Sequence, residues 1–219
     1  MKFHYPALGL ILLSTCTISM AQPCTPQGDQ TTYGTSDVWI GYVYDNTNFT
    51  GYRGYINQGI SGDPSFNQSF GGSTVSYPTN GCATTTETFS VRYKLQKTFT
   101  GGNYEFIAGG DDGYRLSIDG GTTWIIDRWF DQGYNTSSSI NFLNGTYDLV
   151  LEFYENGGGN QVSFQVQPAC VATGDPSVYG TGDTWQGYVY DGINFANYRG
   201  NVTKGLAGNP NFDENFGGA

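Results

Sequence analysis

Of the 219 residues, 33 are glycine, 17 tyrosine, 14 phenylalanine and 4 tryptophan, a composition that argues against helical bundles and coiled coils, since glycine is costly in a helix and no seven-residue apolar pattern runs through the chain. Aromatics at 16% supply surface for a core, and glycine plus proline is 41 residues, below the ~25% of low-complexity chains, so an all-β protein rich in turns is expected. The net charge of −10 repels phosphate backbones and anionic lipids, which argues against nucleic-acid and membrane-surface binding.

Residues 1–21 read as a secretory signal peptide. Lys2 gives the basic start, residues 7–13 the apolar run and Ser19-Met20-Ala21 the small-residue site, with cleavage before Gln22. Lipoprotein processing at Cys16 is the alternative, against which the bulky Thr15 stands. His4 is the single histidine, so the mature chain lacks Ser-His-Asp or Cys-His catalysis and histidine-based zinc sites. Without Lys2, 8 basic residues face 19 acidic ones, a net −11. This excess is compatible with cation binding and equally with solubility. No later stretch approaches the ~20 apolar residues of a membrane span, so no membrane insertion is expected after signal removal.

A self-comparison sets the domain boundaries. Residues 24–73 align without a gap on residues 170–219, with 25 identities in 50 positions. Trp39, Gly41, Tyr42, Val43, Tyr44 and Asp45 return as Trp185, Gly187, Tyr188, Val189, Tyr190 and Asp191, and Tyr52-Arg53-Gly54 returns as Tyr198-Arg199-Gly200. An offset of 146 residues is a domain, not a solenoid unit. A first domain is expected over residues 24–168 and a truncated start of a second copy over 170–219, with further domains of the same chain beyond. Cys24 and Cys82 fall in the first domain and Cys170 repeats Cys24. One disulfide, Cys24 to Cys82, is the simplest reading for an exported domain, with metal binding by two cysteines as the weaker alternative.

In chain order, half-buried strands are expected where apolar residues alternate. Val91, Tyr93 and Leu95 share one face of residues 90–99; Tyr104, Phe106 and Ala108 follow, then Tyr114, Leu116 and Ile118. Asp119-Gly120-Gly121 signals a hairpin to a strand over residues 124–126. Residues 146–154 are apolar on both faces, as in a central strand, and Val162, Phe164 and Val166 alternate again. Short strands at this spacing argue for a sandwich or barrel.

Gly109-Gly110-Asp111-Asp112-Gly113 interrupts the regularity. On composition it is a polar turn. Adjacent carboxylates repel, however, and a site using both needs an unusual backbone, which the glycines permit, and a cation. Glu155-Asn156-Gly157-Gly158-Gly159-Asn160 adds amides and accessible carbonyls, and oxygen-only donors suit calcium rather than zinc.

Asp111-Asp112-Gly113 with the strand after it, then Leu149 to Glu155 with the Asn156 to Asn160 loop, resembles the protective-antigen fourteen-kilodalton domain family. That family occurs in a bacterial toxin component, yeast flocculins and adhesins, and bacterial glycosidases and surface proteins. The resemblance spans residues 39–166 and implies an antiparallel β-sandwich of barrel-like, jelly-roll-like character. It further implies a calcium ion held by two aspartates joined through a cis peptide. Matched by position, the metal ligands would be Asp111, Asp112 and Asn156, with the carbonyls of Gly158 and Asn160. The fungal lectins of the family carry a bulky residue where this chain has Gly158 to Asn160.

The resemblance implies a calcium-dependent carbohydrate-binding or adhesive module, non-catalytic, secreted or on the surface of a bacterium, with a glycan or cell-surface polysaccharide as partner. Trp124, Trp129 and Tyr134 are candidate stacking residues, although an aromatic at such a position is more often core than ligand platform. Arg128 and Asp131 are candidate sugar hydrogen-bonders or an ordinary surface pair. The alternatives are a structural spacer or protein-interaction module, or an accessory domain of an enzyme whose catalytic domain lies beyond residue 219. A glycosidase using Asp111 and Asp112 is disfavoured, because working carboxylate pairs stand ~5 to 10 Å apart across a substrate.

Overall fold

The computed structural model describes Met1, residues 24–195 and residues 197–216. The expected signal peptide, with Lys2, His4, Cys16 and its cleavage site, and the Gly217-Gly218 end of the repeat lie outside the described residues. Among the described residues there are strands and no helix, and no helix is long and apolar enough to cross a membrane. The strands are β1 (Trp39–Tyr44), β2 (Tyr52–Gln58), β3 (Phe66–Ser69), β4 (Ser76–Tyr77), β5 (Asn80–Gly81), β6 (Thr84–Thr85), β7 (Phe89–Asp111), β8 (Gly113–Ser117), β9 (Ile126–Arg128), β10 (Asn135–Glu155), β11 (Gln161–Pro168), β12 (Trp185–Tyr190) and β13 (Tyr198–Lys204).

Every pairing between these strands is antiparallel. The main sheet runs β5-β2-β1-β7-β10-β8-β9, and β11 joins it by pairing with both β7 and β3. The two long strands explain how one sheet makes a β-sandwich. The first half of β7 pairs with β1 while its second half, residues 104–111, pairs with β11. β10 follows β7 along both halves, with a register shift between Leu143 and Gly145, where Gly145 takes φ +113°. A bulge of this kind lets a paired ribbon bend and enter a second layer.

The expected alternation is present: Val91, Tyr93 and Leu95 are buried while Arg92, Lys94 and Gln96 take the other face. The centre of β10 is buried on both faces: Leu149, Leu151 and Phe153 enter the core, while on the other face Arg92 and Arg115 bind Glu152 and Trp129 meets Tyr154. Three boundaries differ from the sequence reading. Residues 90–99 and 104–108 belong to one strand, β10 starts at Asn135 rather than near residue 146, and the strand after the Asp119 hairpin is Ile126–Arg128 rather than 124–126. Ser137-Ser138-Ser139 carries no apolar alternation, so only its ladder to β7 makes it a strand.

Aromatic side chains from both layers fill the core. Trp39 of β1 meets Phe164 of β11 edge-on at 4.8 Å, Phe66 of β3 lies 5.1 Å from Tyr93 of β7, and Phe70 stacks on Phe153 at 5.7 Å. Trp39 donates its indole N–H to the Pro64 carbonyl at 3.0 Å, which satisfies its one polar atom. Cys24 is bonded to Cys82, with Cα atoms 5.3 Å apart, tying the segment before β1 to the end of β5. β12 and β13 form a separate two-stranded sheet, and Cys170 is exposed with a free thiol.

Candidate functional site

Asp111 ends β7, Gly113 begins β8, and Asp112 alone makes the corner between them. Asp111 pairs with Gln161 of β11, whereas Gly113 pairs with Tyr154 of β10, so the chain changes layers within this step. The Asp111–Asp112 peptide is cis. Gly113 is required by packing, since a Cβ there would lie 2.0 Å from the Tyr154 ring.

Asp112 is buried, and its carboxylate is held from two loops: one oxygen accepts the Gln132 N–H at 3.1 Å and the other the Asn156 N–H at 2.9 Å. The Gln132 side chain also donates to the Asp112 carbonyl at 3.2 Å. Asp111 is half-buried. Burial and then the neighbouring Asp112 charge push its carboxyl pKa up, opposed by the Tyr134 backbone N–H. Gly159 crosses so close that a Cβ would sit 2.7 Å from a carboxylate oxygen of Asp111.

The asparagines divide their roles. Asn156 donates its side-chain amide to Asp131 at 2.9 Å, which orients the amide and leaves its oxygen free of that bond. Asp131 in turn accepts the Tyr154 hydroxyl at 2.7 Å, and these two donors hold its carboxyl below the usual range, Tyr154 first. Asn160 is buried and staples the loop to the chain after Phe70: its amide donates to the carbonyls of Gly72 and Thr86 at 2.8 and 2.9 Å, and its side-chain oxygen accepts the Gly72 N–H. The Asn160 backbone carbonyl accepts the Phe70 N–H at 3.1 Å and that of Gly158 accepts the Ser73 hydroxyl at 3.1 Å. Each carbonyl thus has one lone pair engaged.

Two participants were not anticipated from sequence, Gln132 and Glu155. Glu155 has 0% exposure, and neither of its carboxylate oxygens has a hydrogen-bond partner. Burial first, then the charges of Asp112 and Asp111 and more distantly Glu87, push its carboxyl up to about 8; the Gly157 N–H opposes this without bonding it. Period-two alternation carried the signal, because Leu149, Leu151, Phe153 and Glu155 share one face of β10 and the first three are fully buried. Gln132 carried none. Among the described residues no ion pair reaches Asp111, Asp112, Glu155 or Glu87.

The proposed aromatic platform has other work. Arg115 lies 4.1 Å from the Trp124 ring and 4.5 Å from the Trp129 ring, and it pairs with buried Glu152, which also binds Arg92. Trp129 further stacks on Phe49 at 5.8 Å and meets Tyr154 edge-on at 4.7 Å. These contacts occupy Trp129 and one face of Trp124, and they use the rings to hold a cation–π pair over a buried carboxylate. Arg128 lies over Phe130 and donates to Gln132 at 3.2 Å; its ion pair with Asp131 is not formed. Tyr134 is 41% exposed, shares a hydrogen bond with Ser163 at 2.9 Å, and lines a cavity of about 380 Å³ with Asn67, Thr136 and Gln165.

A cation fits this donor chemistry. The corner gathers carboxylates that lack a basic partner, an oriented amide oxygen and loop carbonyls, the hard oxygen set that calcium takes. Among the described residues, no three acidic, histidine or cysteine side chains are arranged to hold a metal by themselves, so neutral oxygens would complete the set.

No family model and no curated protein matches the chain. Among solved structures it is similar to an anti-sigma factor domain-containing protein, at 21% identity and TM-score 0.48 over 79% of this chain. The chain covers 59% of that protein's length. It is also similar to a PA14 sugar-binding domain from an RTX adhesin, at 16% identity and TM-score 0.38, over 60% of this chain and 89% of that one. A third is the epithelial adhesin 9 A domain from Candida glabrata in complex with Galb1-3GlcNAc, at 12% identity and TM-score 0.41, over 69% of this chain and 90% of that one.

Proposed function

We propose that this chain is a calcium-dependent carbohydrate-binding module of an exported protein. The observation that carries the reading is the Asp111–Asp112 corner, where two adjacent carboxylates, Asp112 bonded by the Asn156 backbone N–H, have no ion pair among the described residues. Asp111, Asp112 and the Asn156 amide oxygen would hold the ion, with loop carbonyls such as that of Gly158. Calcium held on one side by protein oxygens supplies open positions that two neighbouring sugar hydroxyls can take in place of water.

The surrounding residues set the geometry. Tyr154 positions Asp131, Asp131 orients the Asn156 amide, and Gln132 anchors Asp112 through main chain and side chain. Tyr134, two residues from Gln132, offers an exposed ring, since the tryptophans are engaged with Arg115. The Cys24–Cys82 disulfide supports an oxidising, extracytoplasmic setting.

Calorimetry should show calcium uptake by the wild-type protein and none by Asp112→Asn, which keeps one hydrogen-bond acceptor but loses the charge. Calcium should raise the wild-type melting temperature, by the equivalent of about 2.7 kcal/mol at a hundredfold excess over Kd. Glycan-array binding should vanish with chelator and in Asp112→Asn alike. No uptake at millimolar calcium removes the site; uptake without any glycan response leaves a structural spacer or protein-interaction module.

A further inference from the structure

The outer face of the second layer carries a cavity on the strands that end at the Asp111 corner. On β7, Phe106 and Ala108 are buried, so Ile107, Gly109 and Asp111 alternate to the other face. They pair with Gln165, Ser163 and Gln161 of β11, and Gly109 also pairs with Thr136 of β10. A Cβ on Gly109 would lie 2.8 Å from both the Ser163 hydroxyl oxygen and the Thr136 methyl group, so the glycine keeps the floor between them low. Above it is the cavity of about 380 Å³, lined by Ser65, Asn67, Tyr134, Thr136, Ser163 and Gln165 and by no charged side chain. Gln161, the partner of Asp111, donates its side-chain amide to Asn67 at 2.7 Å, which joins the cavity rim to the corner.

Hydroxyls and primary amides both donate and accept hydrogen bonds, as the hydroxyl groups of a sugar do. Tyr134 adds an exposed ring whose hydroxyl shares a hydrogen bond with Ser163 at 2.9 Å, and a ring already tethered loses little freedom when a pyranose face lies on it. An acidic sugar would bring its charge among walls that hold no cation, beside Asp111. Gly109 stands two residues from Asp111 on the same face, about 7 Å at the rise of a strand, within reach of the unit next to a sugar held at the corner. On the carbohydrate reading above, on which this inference rests, we propose that the cavity binds the next unit of an uncharged oligosaccharide. The glycan then runs from the Asp111–Asp112 corner along β7 and β11, and not across Trp124 and Trp129.

The probes are glucose, mannose and galactose and a neutral trisaccharide of each, titrated by calorimetry in calcium chloride, with a sialylated trisaccharide as the acidic comparison. The wild type should bind one of the neutral trisaccharides about tenfold more tightly than its monosaccharide. Asn67→Ala combined with Gln165→Ala removes two amides from the cavity and should abolish that gain, with monosaccharide affinity and calcium uptake unchanged. Tyr134→Ala should lower trisaccharide affinity by a similar factor, and Tyr134→Phe, which keeps the ring, should largely retain it. Equal trisaccharide affinity in the wild type and the double variant overturns this inference and leaves the corner as a sugar site; so does a preference for the sialylated probe. Should the double variant fail to fold, amide NMR of the wild type decides: the Ser163 and Gln165 signals should move with the trisaccharide and stay with the monosaccharide, and signals that move with neither overturn the proposal. Calcium uptake without a response to any probe sinks the carbohydrate reading and this inference together.

Discussion

Residues 24–73 and 170–216 are two copies of one pattern, identical at half of their aligned positions, in two surroundings. β1 pairs with β2 from Trp39↔Gln58 to Tyr44↔Tyr52, with its irregularity between Val43 and Tyr44; β12 pairs with β13 from Trp185↔Lys204 to Tyr190↔Tyr198, with the same irregularity between Val189 and Tyr190. The indole N–H of Trp39 bonds Pro64 and that of Trp185 bonds Pro210, each at 3.0 Å. Arg53 pairs with Asp45 as Arg199 pairs with Asp191. Burial is where the copies part. Trp39 is 0% exposed and Trp185 58%; Phe70 is 2% and Phe216 82%. β1 has β7 as a second neighbour, whereas β12 pairs only with β13 among the described residues. Register and turns are therefore local properties of this sequence, and burial is conferred by strands distant in the chain.

The largest expected difference between the copies is at the tryptophans. Trp39→Ala should cost about 3–5 kcal/mol in urea denaturation, since it opens a cavity among Phe66 and Phe164. Trp185→Ala, at an exposed position, should change the same transition by no more than about 0.5 kcal/mol. Equal losses would show that residues 170–216 are packed in solution as firmly as the first copy.

The cysteines give a smaller effect of the same kind. The Cys24–Cys82 bond closes a sequence separation of 58 residues, and Cys24→Ser should cost about 2–4 kcal/mol. Cys170→Ser, at the equivalent repeat position, should be neutral within about 0.5 kcal/mol. Thiol titration under native conditions should find Cys170 reactive and Cys24 protected, and a reactive Cys24 would refute the bond.

The smallest effect should be shared by both copies. Asp29 accepts the Thr31 backbone and hydroxyl hydrogens, and Asp175 those of Ser177. These bonds lower both carboxyl pKa values, the Thr31 backbone N–H leading at Asp29 and the Ser177 hydroxyl at Asp175. Each group binds a proton less readily folded than unfolded, so its contribution is present above the unfolded pKa and is lost as pH falls through the lowered folded value. Carboxyl NMR titration should find both depressed. An ordinary value at Asp175 alone would mean that even the local turn needs the tertiary setting.

The site divides along the same line. The paired aspartates and the asparagine loop were legible because glycine punctuation and adjacent carboxylates are written contiguously. Gln132 was not, since it reaches Asp112 across 20 positions from a loop without pattern. The contact of Trp124 and Trp129 with Arg115 was not legible either, because aromatic identity gives no hint that Arg115, on β8, lies against both rings. β10 was half seen: Leu149 to Tyr154 announces a central strand, while Ser137 to Ser139 becomes one only against β7.

By itself the sequence determined what short range decides. Its alternation marked parts of β7, β8, β10 and β11, its Asp119-Gly120-Gly121 run marked a hairpin, and the two cysteines of the first domain marked the bond that forms. Tertiary structure alone decided that Trp39 is buried among strands distant in the chain, which residues close round Asp112, and that Glu155 ends its strand inside the fold without a partner. The reason is that dihedral preferences and hydrogen bonds between near neighbours act within a few residues. Desolvation and charge neutralisation depend on which distant strand arrives to exclude water.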